Sequence, residues 1–147
     1  MNLHAFHLPP FVAVLALTLS ACAIPADHSN GALEKPEALM GPGWMAKELV
    51  SANAPARTVP RLQFLSSTQV AGSGGCNNFS GPLNITGSVW HLGPLASTRK
   101  FCMGPEMDVE KQFFSALERV RSASLNDGVL GLKDASGVVV LRLVRAE

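Results

Sequence analysis

The chain has no tyrosine, three cysteines and four histidines in 147 residues. Its formal net charge is +1, and no Asp, Glu, Lys or Arg occurs before Asp27. Each scarcity excludes something. A near-neutral balance provides no long-range field to gather nucleic acid or an acidic partner. The length holds one ordinary domain and excludes a two-domain enzyme with a nucleotide-binding half. His4 and His7 fall in the uncharged leader and His28 in a Pro/Gly-containing stretch, which leaves His91 as the domain's own histidine. A zinc site is short of ligands on that count. His91, on an alternating stretch beside Trp90, reads as a surface or edge residue. Gly72-Ser73-Gly74 is not the Gly-x-Ser-x-Gly elbow of a serine hydrolase, and no Gly-Lys-Ser/Thr follows it as a phosphate loop would require. No catalytic residue, metal or cofactor is expected.

The stretch Phe11–Leu19 is almost purely apolar. It is too short for a membrane span, which needs about 20 residues, but has the length of a signal-peptide core. It ends in Leu19-Ser20-Ala21-Cys22, which resembles the bacterial lipobox. In that pattern small residues let a peptidase reach the backbone, and the cysteine thiol takes a thioether-linked lipid. The leader departs from the usual signal in having no Lys or Arg before the apolar run. Residues 23–43 contain Pro25, Pro36, Pro42, Gly31, Gly41 and Gly43 with few large apolar groups, so they are expected not to fold. The expected organisation is a signal peptide over 1–21, a lipidated N-terminus and flexible tether over 22–42, and a domain over 43–147. About 105 residues are enough for one core.

Within the domain the hydrophobic period is mostly two. Strands are expected at Trp44–Leu49, Arg61–Leu65 and Gln69–Gly72. Leu83–Ile85 and Ser88–Leu92 form a hairpin about Gly87, and Val129–Lys133 and Val138–Val144 another about Asp134–Gly137. Helical period appears once, at Glu106–Arg121, where Val109, Phe113, Ala116, Leu117 and Val120 share a face. Glu106, Asp108 and Glu110 begin that helix, and Arg119 and Arg121 end it, which suits the helix dipole and a solvated role. One helix among about seven strands predicts an α+β fold: a strongly curved antiparallel sheet, a partial barrel, packed on one long helix.

If Cys22 carries a lipid, Cys76 and Cys102 remain as a pair. In the oxidising envelope a disulfide is their expected state. It would close a loop of about 26 residues, worth roughly 3–4 kcal/mol in the chain-entropy model. Two free thiols or a redox pair is the competing reading, although 25 intervening residues do not offer the Cys-x-x-Cys spacing of a redox site.

The run Gly72-Ser73-Gly74-Gly75-Cys76-Asn77-Asn78-Phe79-Ser80-Gly81 resembles the Gly-Cys-Asn signature of the META domain, the family of HslJ-like heat-shock lipoproteins. Leu92 through Cys102, with Ser97-Thr98-Arg99 before the cysteine, is similar to that family's second signature. Gly43-Trp44, Phe113–Leu117 and Leu130–Gly137 resemble its opening, its helix and its last hairpin. Ser51–Pro60 matches poorly, and Phe101 stands where a small residue is common. Gly75, Asn77, Asn78, Ser97, Thr98 and Arg99 are therefore the motif residues. The glycines permit left-handed or close-packed backbone. The Asn, Ser and Thr side chains are expected to bond their own backbone in turns.

The resemblance implies a non-enzymatic envelope module that binds a protein or an apolar ligand under stress, since relatives are linked to heat shock and to novobiocin resistance. Ala23 after the anchoring cysteine favours the outer membrane, facing the periplasm. The expected associations are the membrane through Cys22, an envelope protein or apolar ligand, no nucleic acid, and no second copy of the chain. The alternatives are an assembly or pilot lipoprotein of a secretion system, and a small hydrolase or its inhibitor. An apolar groove beside Trp44, Trp90, Phe64 and Phe113 would favour ligand binding or piloting, and a filled face removes both. Arg99, Lys100, Arg119, Arg121, Arg142 and Arg145 are read as a solvated surface in preference to a lipid-binding face. The sequons at Asn78 and Asn84 are read as coincidence.

Overall fold

In the computed structural model, the described residues are Leu33, 35–49 and 58–146. The signal peptide, Cys22 and the first part of the tether lie outside them.

The strands are β1 (Trp44–Met45), β2 (Arg61–Ser66), β3 (Gln69–Ser73), β4 (Asn78–Thr86), β5 (Val89–Leu92), β6 (Ala96–Ser97), β7 (Ser122–Asn126), β8 (Val129–Lys133) and β9 (Val139–Arg145). One helix, α1 (Glu106–Arg119), separates β6 from β7. The strands form one nine-stranded antiparallel sheet in the order β5-β4-β3-β2-β1-β9-β8-β7, with β6 beside β4. The sheet is not closed. This is a single α+β domain.

The alternation in the sequence maps onto the faces. In β2, Leu62 and Phe64 are buried while Arg61, Gln63 and Leu65 are exposed. In β4, Phe79 and Leu83 point inward. The inward face is covered by Val109, Phe113, Ala116 and Leu117 of α1 and by Val120 just beyond it. Burying each large side chain is worth roughly 1.5–3 kcal/mol. Phe64 meets Trp90 edge-on at 6.2 Å, and Phe79 packs against Phe113 at 5.9 Å and Phe114 at 5.3 Å. Trp44, Trp90, Phe64 and Phe113 are all core residues, at most 2% exposed. The face on which an apolar groove would open is filled by its own side chains.

Three expectations are corrected. The stretch 44–49 is not one strand: pairing ends at Met45, and Lys47–Leu49 makes a 3-10 turn. The helix ends at Arg119, two residues early, because Val120 turns extended and its N–H closes back on the Leu117 carbonyl. The tether does not reach residue 42. Pro36–Leu39 forms a 3-10 turn, and Leu39 is fully buried. The reason lies in two tryptophans. A buried indole N–H needs an acceptor. Trp44 donates to the Leu39 carbonyl at 2.9 Å and Trp90 to the Leu33 carbonyl at 3.1 Å. The Leu33 N–H donates to Ala123 of β7, and Arg145 bonds the Ala38 carbonyl while stacking over Trp44. Two strands escaped the sequence reading, β6 and β7, each short and built largely of Ser and Ala.

In the last hairpin, Asp134 Oδ1 accepts bonds from the Ser136 hydroxyl, the Ser136 N–H and the Val138 N–H. The hydroxyl bond above all holds its carboxyl below the usual 3.8; burial, the next effect, opposes it, and the backbone bonds and nearby Arg119 assist. A lowered folded-state value gives stability that is complete above the unfolded value and lost as pH falls through the folded one. The stability gap between wild type and Asp134→Asn should therefore be full at neutral pH and shrink below about pH 3.8 in urea titrations. Leu39→Ala should cost about 2–4 kcal/mol by the same measurement, which a residue of a flexible tether would not.

Candidate functional site

The two cysteine motifs meet at the N-terminal end of α1. Cys76 and Cys102 are joined, with their Cα atoms 6.0 Å apart, within the usual range for a disulfide. Between them lies Asn77, 4% exposed, whose amide bridges two segments. Its Oδ1 accepts from the Lys100 N–H at 2.7 Å and the Thr98 hydroxyl at 2.8 Å, and its Nδ2 donates to the Lys100 carbonyl at 3.2 Å. The Thr98 hydroxyl oxygen also accepts the Asn78 N–H, and the Thr98 N–H returns to the Asn78 carbonyl.

Glu110 closes the arrangement from the helix side. It is 7% exposed. Oε2 accepts the backbone N–H of Asn77 at 2.5 Å and of Cys76 at 3.2 Å, and Oε1 accepts the Asn77 Nδ2 at 2.8 Å. The glycines before Cys76 make this approach possible. A Cβ on Gly74 would sit 2.7 Å from the Glu110 Cγ. Gly75 has φ +111°, a left-handed backbone that side chains disfavour.

Two expectations change here. Glu110 does not serve the helix dipole in solvent. It lies three residues before Phe113 and seven before Leu117, on the buried stripe, and that spacing is the signal that marks it. Asn77 and Thr98 do not bond their own turns but each other's segments. Asn78 begins β4 with its side chain exposed, Ser97 is an exposed residue of β6 opposite Phe79, and Arg99 is exposed. Gly75, Asn77 and Thr98 are thus brought together with Cys76 and Cys102, while Asn78 and Ser97 join only through backbone pairing. The bonding capacity of Asn77 and Glu110 is taken up within the corner. Glu110 is spent on three N–H donors, and among the described residues no three His, Cys, Asp or Glu side chains converge as a metal site would need.

Elsewhere, His91 is exposed on β5 opposite Asn84. Arg142 pairs with Glu48 at 3.8 Å, and Arg119 and Arg121 sit at the far end of α1 from Arg99 and Lys100. The cations therefore form no single face. A cleft of about 370 Å³ lies beside α1, lined by Leu92, Pro94, Leu95, Ser97, Phe114 and Glu118.

A nine-stranded antiparallel sheet on one helix, clasped at a Gly-Cys-Asn corner, defines a small α+β domain with its signature residues at the disulfide. The chain belongs to the META domain family, whose sequence profile matches residues 37–147. In fold it is similar to a Burkholderia xenovorans protein solved by NMR (TM-score 0.55, 19% identity, 74% of this chain and 84% of that one). It is also similar to another protein solved by NMR (TM-score 0.56, 22% identity, 77% of this chain and 96% of that one). Comparison with curated proteins finds no match.

Glu110→Gln keeps the size but turns an amide NH2 toward N–H donors. It should cost about 1–3 kcal/mol in urea denaturation, the range for an unsatisfied buried donor. Cys76→Ser and Cys102→Ser should each lower the melting temperature by a similar amount, corresponding to about 2–4 kcal/mol. Reduced wild type should melt with them, and equal melting with and without reductant would contradict this.

Proposed function

We propose that the protein is a non-enzymatic, lipid-anchored envelope module that acts by presenting its outer surface to a partner protein. The observation that carries this is the saturation of the signature corner. The family's polar residues, Asn77 and Thr98 together with Glu110, bond one another, so they build a shape and leave no group free for chemistry. The lipobox-like Leu19-Ser20-Ala21-Cys22 supports the anchor, and Ala23 supports the outer membrane, facing the periplasm. A role in envelope stress rests on the family resemblance. The curled, barrel-like reading of the sheet is supported by the backbone N–H of Trp90, which reaches from β5 to the Arg121 carbonyl just before β7. The filled face between sheet and helix weighs against an apolar ligand held there, and against piloting by the same groove.

The experiment is crosslinking of the full chain in intact cells, with and without heat, read by mass spectrometry beside a Cys22→Ser variant. The expected result is a discrete envelope protein captured by wild type and more strongly under heat, with lipid found on wild-type Cys22 by mass spectrometry. Capture of lipid and cell wall alone would sink the partner; a wild-type chain without lipid at Cys22 would sink the anchor.

A further inference from the structure

Phe101 and Met103 are each 84% exposed, on the two sides of Cys102. Surface apolar residues are ordinary when scattered singly, but these two stand on a restrained loop. On one side of Phe101 the Lys100 backbone is fixed by both its N–H and its carbonyl to the Asn77 amide. On the other, Cys102 is tied covalently to Cys76, and Met103 follows that bridge directly. The backbone that carries Phe101 cannot move toward the core without breaking these bonds. Met107, 36% exposed, continues the apolar tip onto α1. Arg99 and Lys100 flank it, both exposed. Among the described residues the ion pair is Arg142 with Glu48, so neither cation is neutralised by a carboxylate.

We infer that this stapled tip is a membrane-insertion point, which places Phe101 and Met103 in the interfacial region of an anionic bilayer beneath Arg99 and Lys100. One observation and one general property select a lipid surface over a protein. The apolar residues are few and stand on a loop bordered by cations and by Gly104-Pro105, without the flanking apolar area of a standard protein interface. A fluid interface needs no matching shape, and it accepts an apolar residue with a cationic neighbour at headgroup level. Asp108 and the half-buried Glu106 stand on the first turn of α1, so the apolar pair carries the binding and anionic lipid only strengthens it.

The inference rests on the proposed anchor at Cys22 for bringing the domain to a bilayer, and the tip then sets how the domain sits on it. The chain can reach. Leu33 is bonded to Ala123 and Trp90, beyond the C-terminal end of α1, whereas Phe101 precedes its N-terminal end. That separation is about the helix length, ~21 Å for 14 residues. The eleven steps from Cys22 to Leu33 can span up to ~40 Å.

The test uses the full chain carrying Phe101→Trp. Trp44 and Trp90 are fully buried, so the new indole reports the tip. The probe is vesicles of phosphatidylethanolamine and phosphatidylglycerol with brominated acyl chains, against all-phosphatidylcholine vesicles with the same label. The expected result is a blue shift and quenching, stronger on the anionic vesicles. In the chain also carrying Cys22→Ser, the fraction sedimenting with the vesicles should fall about tenfold when Phe101→Ser and Met103→Ser replace Phe101→Trp. A reporter that stays unquenched while the lipidated protein sits on the vesicles overturns the tip and leaves the anchor standing, as does protection of the reporter by a bound protein instead of lipid. A protein that never acquires lipid at Cys22 overturns the anchor alone, and quenching in the unanchored chain then upholds the tip.

Discussion

The structure depends on where one carboxylate is placed. Glu110 sits in the buried stripe of α1 and accepts three N–H groups from two consecutive residues, Cys76 and Asn77. A buried carboxyl without partners is among the costliest groups a small domain can hold. With its acceptors filled it becomes a specific one, because no other docking of the helix satisfies it. The bond joins three segments that are distant in sequence: the β3–β4 corner, the strand and loop before α1, and α1 itself. The disulfide ties the first two of these. The hydrogen bonds set the orientation of the corner, and the covalent bridge limits how far it can open.

A second constraint works at the other end of the sheet. Composition places residues 23–43 among unfolded segments, and for an isolated peptide that is sound. The structured stretch 35–42 is held by groups supplied from outside it. Two indole N–H donors in the core need acceptors, and the carbonyls of Leu33 and Leu39 provide them. Leu39 then buries itself fully. A local rule about Pro and Gly is overruled by the needs of two tryptophans farther along the chain, and the family match from residue 37 fits this earlier start.

The legible parts of the fold are those where one residue's side chain decides its environment. The alternation of Leu62 and Phe64, the helical stripe from Val109 to Val120 and the two hairpin turns all follow from local period. The disulfide is expected from the pair of cysteines within the domain and their spacing, which is not that of a redox site. What was not legible depends on partners across the sheet. Strand β7 reads Ser-Ala-Ser-Leu-Asn and has little β character; it is a strand because β8 pairs with it from Ser122 to Asn126. Glu110 looks like its neighbours Glu106 and Asp108 until its phase relative to Phe113 is considered. Asn77 and Asn78 are adjacent and alike in type, yet only the first is enclosed, because β4 begins at the second and turns its side chain out.

The same corner bears on what the protein is for. Signature residues that bond one another protect a geometry, and a geometry held this firmly matters through what it displays. The backbone between Asn77's two bonds to Lys100 and the bridge at Cys102 has little freedom; it carries Phe101 facing solvent, with exposed Arg99, Lys100 and Met103 at its edges. If the staple served stability alone, any polar residue would do at 101, and a polar one would interact better with water. A phenylalanine 84% exposed on a backbone under covalent and hydrogen-bonded restraint is instead a preorganised contact: its side chain enters an apolar phase without first paying the entropy of ordering the loop that carries it.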